Sequence, residues 1–529
     1  MGDRARWLRP AAILLIALAL ASALAAATLD PRTLGLLLNT LRLAGLTCIF
    51  SVPVGSVVAF VLVRTDLPLR KGAILLFGLM LFVPLYLQAA AWQAGFGLQG
   101  WYTLAIEGPV WLRGWTAVVW IHSLVSLPWV VLIAGAGFRL VERELEEQAI
   151  LDAAPPEVFW RVTVPAAAGS IGLAALWVMV LTAGEMTVTD LFVVRTYAEE
   201  VYTQFAVARE LGDAPLGVGS GMLLTAWLVA AGWLFVAATA PRERLLSLPE
   251  AYVYRLGPWK WIALAAVAVA LAVVVGVPLA NLVYKSGVIV VQVGDARVRT
   301  WSLVRAVIMV AGSPWRFQRE LGWSLGLGGL AASAAVLAAV AASWWARGCR
   351  WRTAALVVAT AACLAVPGPV VGLAIIWMLN RPELPALAWL YNQSILAPWL
   401  ALTVRTFPVA VLIVWHALAS MPREMLDAAA VDGAGAWSQL WRIALPCRAA
   451  AIVVAWLVAM ALALGELAAS VLVTPAGVTT LSIAIFGLLH YGVEDQVAGI
   501  CLALAALLAA TAAGVLLVGG RRRRSIMVS

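Results

Sequence analysis

Runs of about 20 consecutive apolar residues recur along the chain, and this feature constrains the fold most. A helix rises about 1.5 Å per residue, so each run is long enough to span roughly 30 Å of hydrocarbon. The composition agrees, because 64% of the residues are apolar and 12% are charged, whereas soluble domains have about 45–50% and about 25%. The sequence therefore predicts an all-α, polytopic membrane protein and argues against a multidomain soluble one.

Twelve of these runs are predicted to be transmembrane helices. They lie near residues 10–29, 36–63, 72–92, 115–138, 166–186, 216–239, 261–281, 321–343, 354–378, 397–418, 448–468 and 497–519. The first run could instead be a cleavable signal peptide, because three arginines precede it and the small residues Ala21-Ser22-Ala23 follow. An uncleaved helix is favoured, because the run stays apolar to Leu29 and the second half has a matching run at 261–281.

Short clusters of Lys and Arg between the runs predict the orientation. With the amino terminus in the cytoplasm, the inward segments contain 23 of the 36 basic residues, including Arg64, Arg70 and Lys71, as the positive-inside rule requires. Both termini are therefore predicted to be cytoplasmic, in a bacterial inner membrane. The basic segment 282–320 contains an apolar stretch from Ala306 to Ala311 that is too short to cross, so we predict an external, partly surface-lying excursion there.

The chain repeats itself at an offset of about 280 residues. The recurring landmarks are Leu127-Pro128-Trp129 with Phe407-Pro408-Val409, Gly184-Glu185-Met186 with Gly465-Glu466-Leu467, and Val83-Pro84 with Val366-Pro367. Six predicted helices separate the copies, so both halves should have the same orientation and be related by an axis along the membrane normal. We therefore expect two homologous bundles of about six helices each, at 1–245 and 246–529.

The segments after the fourth and tenth runs share a second pattern. The second copy reads Asp427-Ala428-Ala429-Ala430-Val431-Asp432-Gly433-Ala434 and then Ile443-Ala444-Leu445-Pro446; the first reads Glu147-Gln148-Ala149-Ile150-Leu151-Asp152-Ala153-Ala154 and then Val162-Thr163-Val164-Pro165. This pattern resembles the EAA loop of type I permeases of ATP-binding-cassette importers, an acidic-Ala-Ala-x-x-Asp-Gly-Ala stretch followed by Ile-x-Leu-Pro. The resemblance extends over nearly the whole chain apart from 282–320.

In that family two short helices joined at the Gly dock into a cleft on the ATPase, so the resemblance implies a coupling role for both loops. The coupling residues it implies are Glu147, Ala149, Asp152, Ala153, Ala154 and Pro165 in the first copy, and Asp427, Ala428, Ala429, Asp432, Gly433, Ala434 and Pro446 in the second. Gly433 permits a turn at positive φ, and the two prolines are expected where a new helix begins. The turn of the first copy must differ, because Ala153 replaces Gly and Pro155-Pro156 follow at once.

Two glutamates, Glu185 and Glu466, occupy equivalent positions near the outer ends of the fifth and eleventh runs. A carboxylate within a span usually faces a cavity or a partner, so both are candidates for lining or gating a pathway, with an interfacial carboxylate as the alternative. A Gly-Glu here also looks like permeases for ferric iron, sulfate and thiamine. For His122 and His416 we expect packing and hydrogen bonds between helices.

The sequence indicates neither an ATPase nor another enzyme. It contains no GxxxxGK[ST] loop, so a partner subunit would hydrolyse ATP and this chain is expected to bind no cofactor. Its five cysteines lack CxxC spacing, which argues against a disulfide framework or a metal site. A secondary transporter of the major-facilitator type also has two parallel six-helix halves, but it does not account for the loops at 147–165 and 427–446. A membrane-embedded enzyme is a third alternative.

The resemblance implies specific partners and a class of solute. A cytoplasmic pair of ATPases would drive the permease, and an external solute-binding protein would deliver a small solute to it. Fused permeases of this length look most like those for ferric iron, with thiamine or an organophosphonate as alternatives. No nucleic-acid partner is expected, because the basic residues lie in short clusters between apolar runs.

Overall fold

A computed structural model describes residues 31–106, 109–207, 252–293, 296–491 and 494–526. Within these ranges, seven helices are long and apolar enough to cross a membrane, and two bent helix pairs raise the number to nine. The all-α, polytopic fold is therefore confirmed. The predicted runs at 10–29 and 216–239 lie outside the described residues, so a total of twelve stays a prediction.

By its internal contacts the chain divides into two compact units, Met1–Ala306 and Val307–Ser529. The described helices of the first unit are α1 Pro31–Arg64, α2 Arg70–Met80, α3 Leu85–Phe96, α4 Trp101–Ile106, α5 Gly114–Arg139, α6 Arg143–Asp152, α7 Pro155–Val158, α8 Val164–Ala183, α9 Thr187–Leu191, α10 Tyr197–Val207, α11 Lys260–Leu271 and α12 Val277–Gly287. A hairpin of strands β1 Val288–Val293 and β2 Ala296–Trp301 follows.

Helix α13, Leu303–Arg316, runs from the end of the first unit into the second. The remaining described helices are α14 Gln318–Ala346, α15 Arg350–Ala365, α16 Gly368–Leu379, α17 Pro385–Gln393, α18 Leu396–Ala419, α19 Arg423–Val431, α20 Ala436–Gln439, α21 Leu445–Gly465, α22 Leu481–His490 and α23 Glu494–Ile526. All belong to the second unit.

Among the residues that the structure describes, three π-turns interrupt long helices, and each lies just before a proline. They span Phe159–Thr163, Ala272–Gly276 and Leu440–Ala444, and are followed by Pro165, Pro278 and Pro446. Proline has no amide to donate and its ring clashes with the preceding turn of an α-helix, whereas a π-turn widens that turn and shifts the hydrogen-bond register. The helix can thus continue through the proline.

As expected, Pro165 and Pro446 each lie in the first turn of an α-helix, α8 and α21. Each of these helices follows the preceding short helix and π-turn without a break, so that continuous helical stretches run over Pro155–Ala183 and Ala436–Gly465. Apolarity marked only the membrane-embedded part of each helix, whereas the helix itself starts about three turns earlier, on the exposed loop.

Two of the predicted spans, 72–92 and 354–378, are sharply bent. The helix axes turn by 101° between α2 and α3 and by 104° between α15 and α16. Each bend occurs at a recurring Val-Pro landmark, where Pro84 and Pro367 are extended at ψ 150 and 145 and precede the next helix. Proline disfavours the helical conformation of the residue before it, which explains why both copies break at this place.

Close helix packing forms the core of each unit. In the first unit, α1 packs along α5, and the contact depends on Gly55, where an added Cβ would lie 2.6 Å from Val130 Cγ1. In the second unit, α14 packs along α18 in the corresponding way. Small residues at such crossings let two helix backbones approach closely, which favours association in lipid.

The helix over 257–287, expected to open the second half, makes its described contacts within the first unit. Gln88 Nε2 on α3 donates to the Val274 carbonyl over 3.2 Å, and Trp101 Nε1 donates to Asn281 Oδ1 over 3.1 Å. The boundary between the two units, at 306/307, thus differs from the boundary predicted near 245. The first is defined by contacts in the structure, whereas the second was defined by similarity between the two halves of the sequence.

The segment 282–320 has regular structure that apolarity did not reveal. Strands β1 and β2 pair antiparallel from Val288 with Trp301 to Val293 with Ala296. The following helix α13 exposes Val304, Ile308 and Trp315, which lie about one helical turn or two apart. A short amphipathic helix of this kind fits the expected surface-lying position.

We predict that Gly55→Leu destabilises the first unit. The added side chain would separate α1 from α5, and such overpacking typically costs about 1–3 kcal/mol. The measurement is the thermal midpoint of the detergent-purified protein. Gly45→Leu on the same helix is the matched control, because an added Cβ at Gly45 meets nothing within 4 Å; equal midpoints for the two variants would contradict the packing argument.

Candidate functional site

The first of the two loops, 147–165, is a helix–turn–helix that projects from the spans. Helix α6 ends at Asp152, Ala153 is extended at φ −143 and ψ 154, and Ala154 precedes helix α7. The turn is closed by the Ala153 amide, which donates to the Ala149 carbonyl over 3.0 Å. Glu147 is exposed and pairs with Arg143 over 2.6 Å. The turn therefore avoids a left-handed residue, as expected from the absence of glycine.

The second loop, 427–446, reaches a similar architecture through a different turn. Gly433 adopts φ +86, a left-handed conformation that favours glycine. Its amide donates to the Ala430 carbonyl over 3.0 Å, and the Ala434 amide donates to the Ala429 carbonyl over 2.9 Å. The remaining predicted residues of this loop, Asp427, Ala428, Asp432 and Pro446, are exposed.

Both loops expose large apolar side chains at repeat-related positions. Leu151 and Val431 are 84% and 87% exposed, and Trp160 and Trp441 are 64% and 51% exposed. Single exposed hydrophobic residues are common on protein surfaces. Here, however, each loop exposes an aliphatic and an aromatic side chain at matching positions, and such an apolar patch is suited to contact with another protein. Aromatic residues of this kind often dominate the binding energy of protein interfaces.

A groove of about 1240 Å³ lies beside the first loop. Its basic lining residues are Arg70, Lys71, Arg139, Arg143 and Arg255. Asp66 is the only carboxylate among the lining residues, and its Oδ1 accepts a hydrogen bond from the Leu256 amide over 2.9 Å. The groove therefore has a positive potential that would favour an acidic partner surface.

Glu185, the first of the two predicted pathway carboxylates, accepts hydrogen bonds from the start of the short helix α9. The Thr187 amide donates to Oε1 over 2.6 Å and the Val188 amide donates to Oε2 over 3.1 Å. Oε2 also lies 3.4 Å from His122 Nε2. His122 Nδ1 is 2.8 Å from the Val118 carbonyl, which can only accept, so Nδ1 carries a proton.

Glu466, the equivalent carboxylate of the second unit, has a different cationic partner. Its Oε1 accepts from the Ala469 amide over 3.0 Å, and its Oε2 accepts from Arg405 Nε over 3.3 Å. Arg405 Nη1 donates to the Val366 carbonyl over 3.1 Å. One guanidinium thus joins the carboxylate to the bend between α15 and α16.

Sequence reasoning placed both glutamates at equivalent positions but missed their partners. Arg405 lies inside the predicted run 397–418, and a charged residue within a span is itself a signal of a functional or paired site. His122 was expected only to pack and hydrogen-bond between helices, whereas it faces Glu185. At the offset of 280, His122 corresponds to Leu402, so Arg405 approaches from three residues further along its helix.

Across the described ranges, no group of three or more His, Cys, Asp or Glu side chains is arranged to hold a metal ion. The arrangement instead presents exposed apolar side chains on two loops and places a partly buried carboxylate beside His122 in one unit and beside Arg405 in the other.

A family comparison matches most of the second unit. Residues 334–522 match the family described as "Binding-protein-dependent transport system inner membrane component". The matched range contains the second loop, Arg405 and Glu466. No curated protein matched the chain. The match supports an inner-membrane permease component of an importer, a class that in general works with an ATPase and a solute-binding protein and whose members are generally not enzymes.

We predict that Arg405 and Glu466 are energetically coupled. Arg405→Met leaves Glu466 without its cation and the Val366 carbonyl without its donor, which should cost about 1–3 kcal/mol. Adding Glu466→Gln should recover part of this loss, because the unpaired charge is removed. Thermal midpoints of the wild type, both single variants and the double variant form the cycle; additive effects would show that the pair is not coupled.

Proposed function

We propose that the chain is the permease subunit of an ATP-binding-cassette importer, with both permease halves fused in one polypeptide. The supporting observation is the matched pair of projecting loops, each a short helix, a turn, a one-turn helix, a π-turn and a span. The family match includes the second loop, and the first loop has the same order of elements 280 residues earlier.

In this proposal the two loops bind the ATPase subunits on the cytoplasmic side. The exposed side chains Leu151 and Val431, with Trp160 and Trp441, form the apolar part of the contact. The basic groove next to the first loop would face acidic residues of one ATPase subunit. Because the turn at Ala153 and the turn at Gly433 differ in shape, the two contacts are not identical.

Each loop continues as one helix into the membrane, which gives the contact a mechanical consequence. The helices Pro155–Ala183 and Ala436–Gly465 run from the loop to the residues just before Glu185 and Glu466. A displacement at the loop would therefore be transmitted along a single rigid element to a partly buried carboxylate and its partner. We propose that these two pairs gate the pathway.

The proposed solute is ferric iron, delivered by an external solute-binding protein. The support is the resemblance to fused permeases of this length, whereas the Gly-Glu landmark bears on gating more than on the choice of solute. Thiamine and an organophosphonate are the alternatives. The proposed orientation has both termini in the cytoplasm of a bacterial cell and follows from the distribution of basic residues.

We predict that Asp432→Arg and Gly433→Val leave the chain in the membrane but prevent ATPase binding. Arginine reverses a charge on the exposed tip, and a β-branched residue is strained at φ +86. The measurement is co-purification of the partner ATPase with the tagged permease. Gly435→Ala is the matched control, because Gly435 has φ −66, which alanine adopts without strain. Normal yield of the ATPase with either loop variant would contradict the proposal.

We also predict that Glu466→Gln alters solute uptake while assembly with the ATPase stays intact. The amide keeps the shape of the side chain but removes the charge that holds Arg405, so the bend and the gate are no longer joined by an ion pair. Uptake of radiolabelled iron into proteoliposomes is compared with complex yield for the wild type and the variant. An unchanged rate would remove Glu466 from the pathway.

A further inference from the structure

A buried ion pair and its hydrogen bonds join four segments of the first unit at one carboxylate. Arg64, the last residue of α1, and Glu146, on α6, are both fully buried and contact each other through Nη2 and Oε2. Glu146 Oε1 accepts hydrogen bonds from Thr163 Oγ1 over 2.7 Å and from the Tyr254 hydroxyl over 3.0 Å. The four residues thus connect α1, α6, the π-turn before α8, and the segment Tyr252–Leu256.

The backbone of the same segment is tied to the end of α1. The Tyr254 amide donates to the Arg64 carbonyl over 2.8 Å, and the Asp66 amide donates to the Tyr254 carbonyl over 3.3 Å. Burial raises the pKa of the Tyr254 phenol, and this outweighs the lowering by the Thr163 hydrogen bond and the Arg64 charge. The phenol therefore keeps its proton and remains a donor to Glu146.

The second unit has an apolar cluster at the corresponding place. At offsets of 280 and 281, Glu146 corresponds to Leu426, Thr163 to Ala444 and Arg64 to Trp344. Leu426 and Ala444 are buried in one hydrophobic cluster, and Trp344 packs against it. The two loops thus have the same backbone elements but different chemistry at their bases.

This chemical difference changes how each loop can move. Apolar packing is non-directional, so helices can slide or tilt while their surfaces stay in contact. A buried ion pair with hydrogen bonds has one favourable geometry, and separating its members leaves uncompensated charge at fully buried positions. The base of the first loop should therefore be stiffer than that of the second.

Resting on the proposed coupling function, we propose that Glu146 and Tyr254 are positioning residues that latch the first loop to the segment Tyr252–Leu256. The span 257–287 begins directly after that segment and bonds to α3 through Gln88 and to Trp101 through Asn281. Motion of the first loop is then delivered to two membrane elements, its own helix and the span 257–287. The second loop lacks this latch, so the two loops transmit motion unequally.

The test is amide hydrogen exchange of the complete chain in nanodiscs, without any partner. Tyr254→Phe removes one hydroxyl and should raise exchange of 143–152 about tenfold, the loss of roughly one hydrogen bond. Exchange of 423–431 in the same molecule should not change. Tyr252→Phe is the matched control, because the hydroxyls that reach Glu146 belong to Thr163 and Tyr254.

A second variant, with four substitutions, distinguishes loss of the latch from misfolding of the first unit. Arg64→Met, Glu146→Leu, Thr163→Ala and Tyr254→Phe together reproduce the apolar character of the second loop, and such replacement of a buried ion pair is often tolerated. We expect this variant to fold and its segment 143–152 to exchange about as fast as 423–431. Unchanged exchange of 143–152 in Tyr254→Phe, or equal acceleration of both loops, would overturn the latch.

The final measurement repeats the hydrogen exchange with the ATPase and ATP added. In the wild type, exchange should change within 257–287, whereas Tyr254→Phe should bind the ATPase but lose that change. A Tyr254→Phe response in 257–287 equal to that of the wild type would overturn the latch even with the ATPase bound. Failure of the ATPase to protect either loop of the wild type would contradict the proposed function instead, and the exchange of the chain alone would still decide the latch.

Discussion

Every backbone amide and carbonyl within hydrocarbon must find a partner inside the protein, and much of this structure follows from that requirement. Where a proline removes a donor, the helix inserts a π-turn, as it does before Pro165, Pro278 and Pro446. Where a Val-Pro pair breaks the helix, the freed carbonyl of Val366 receives Arg405 Nη1. The same guanidinium also pairs with Glu466. One arginine therefore satisfies the freed carbonyl and balances the charge of the carboxylate.

The backbone requirement is the same in both copies, whereas the side chains that meet it differ. Both copies bend at Val-Pro and both place a π-turn in the helix that leaves the loop. Glu185 faces His122 but Glu466 faces Arg405. Similar backbone elements in the two units therefore hold the two carboxylates against partners of different chemistry.

The sequence predicted the features that depend on residues close together in the chain. The spans at 36–63 and 115–138 agree with Pro31–Arg64 and Gly114–Arg139, and the left-handed turn falls at Gly433, as glycine there suggested. Apolarity could not show that 72–92 bends by 101°, since both arms are equally apolar. It could not pair Arg405 with Glu466 either, because the two are 61 residues apart in sequence and meet only through helix packing.

The buried pair of Arg64 and Glu146 also bears on how often the chain crosses the membrane. Between them lie the bent pair α2–α3 and the span Gly114–Arg139. Since the two residues touch, they lie on the same side, and the number of crossings between them must be even. A re-entrant bent pair would leave one crossing and separate them by roughly 30 Å of hydrocarbon. The pair α2–α3 therefore crosses. Ala346 and Met421 share one cluster, so the same reasoning makes α15–α16 a crossing. With both bent pairs included, nine candidate spans in the described residues are long and apolar enough to cross.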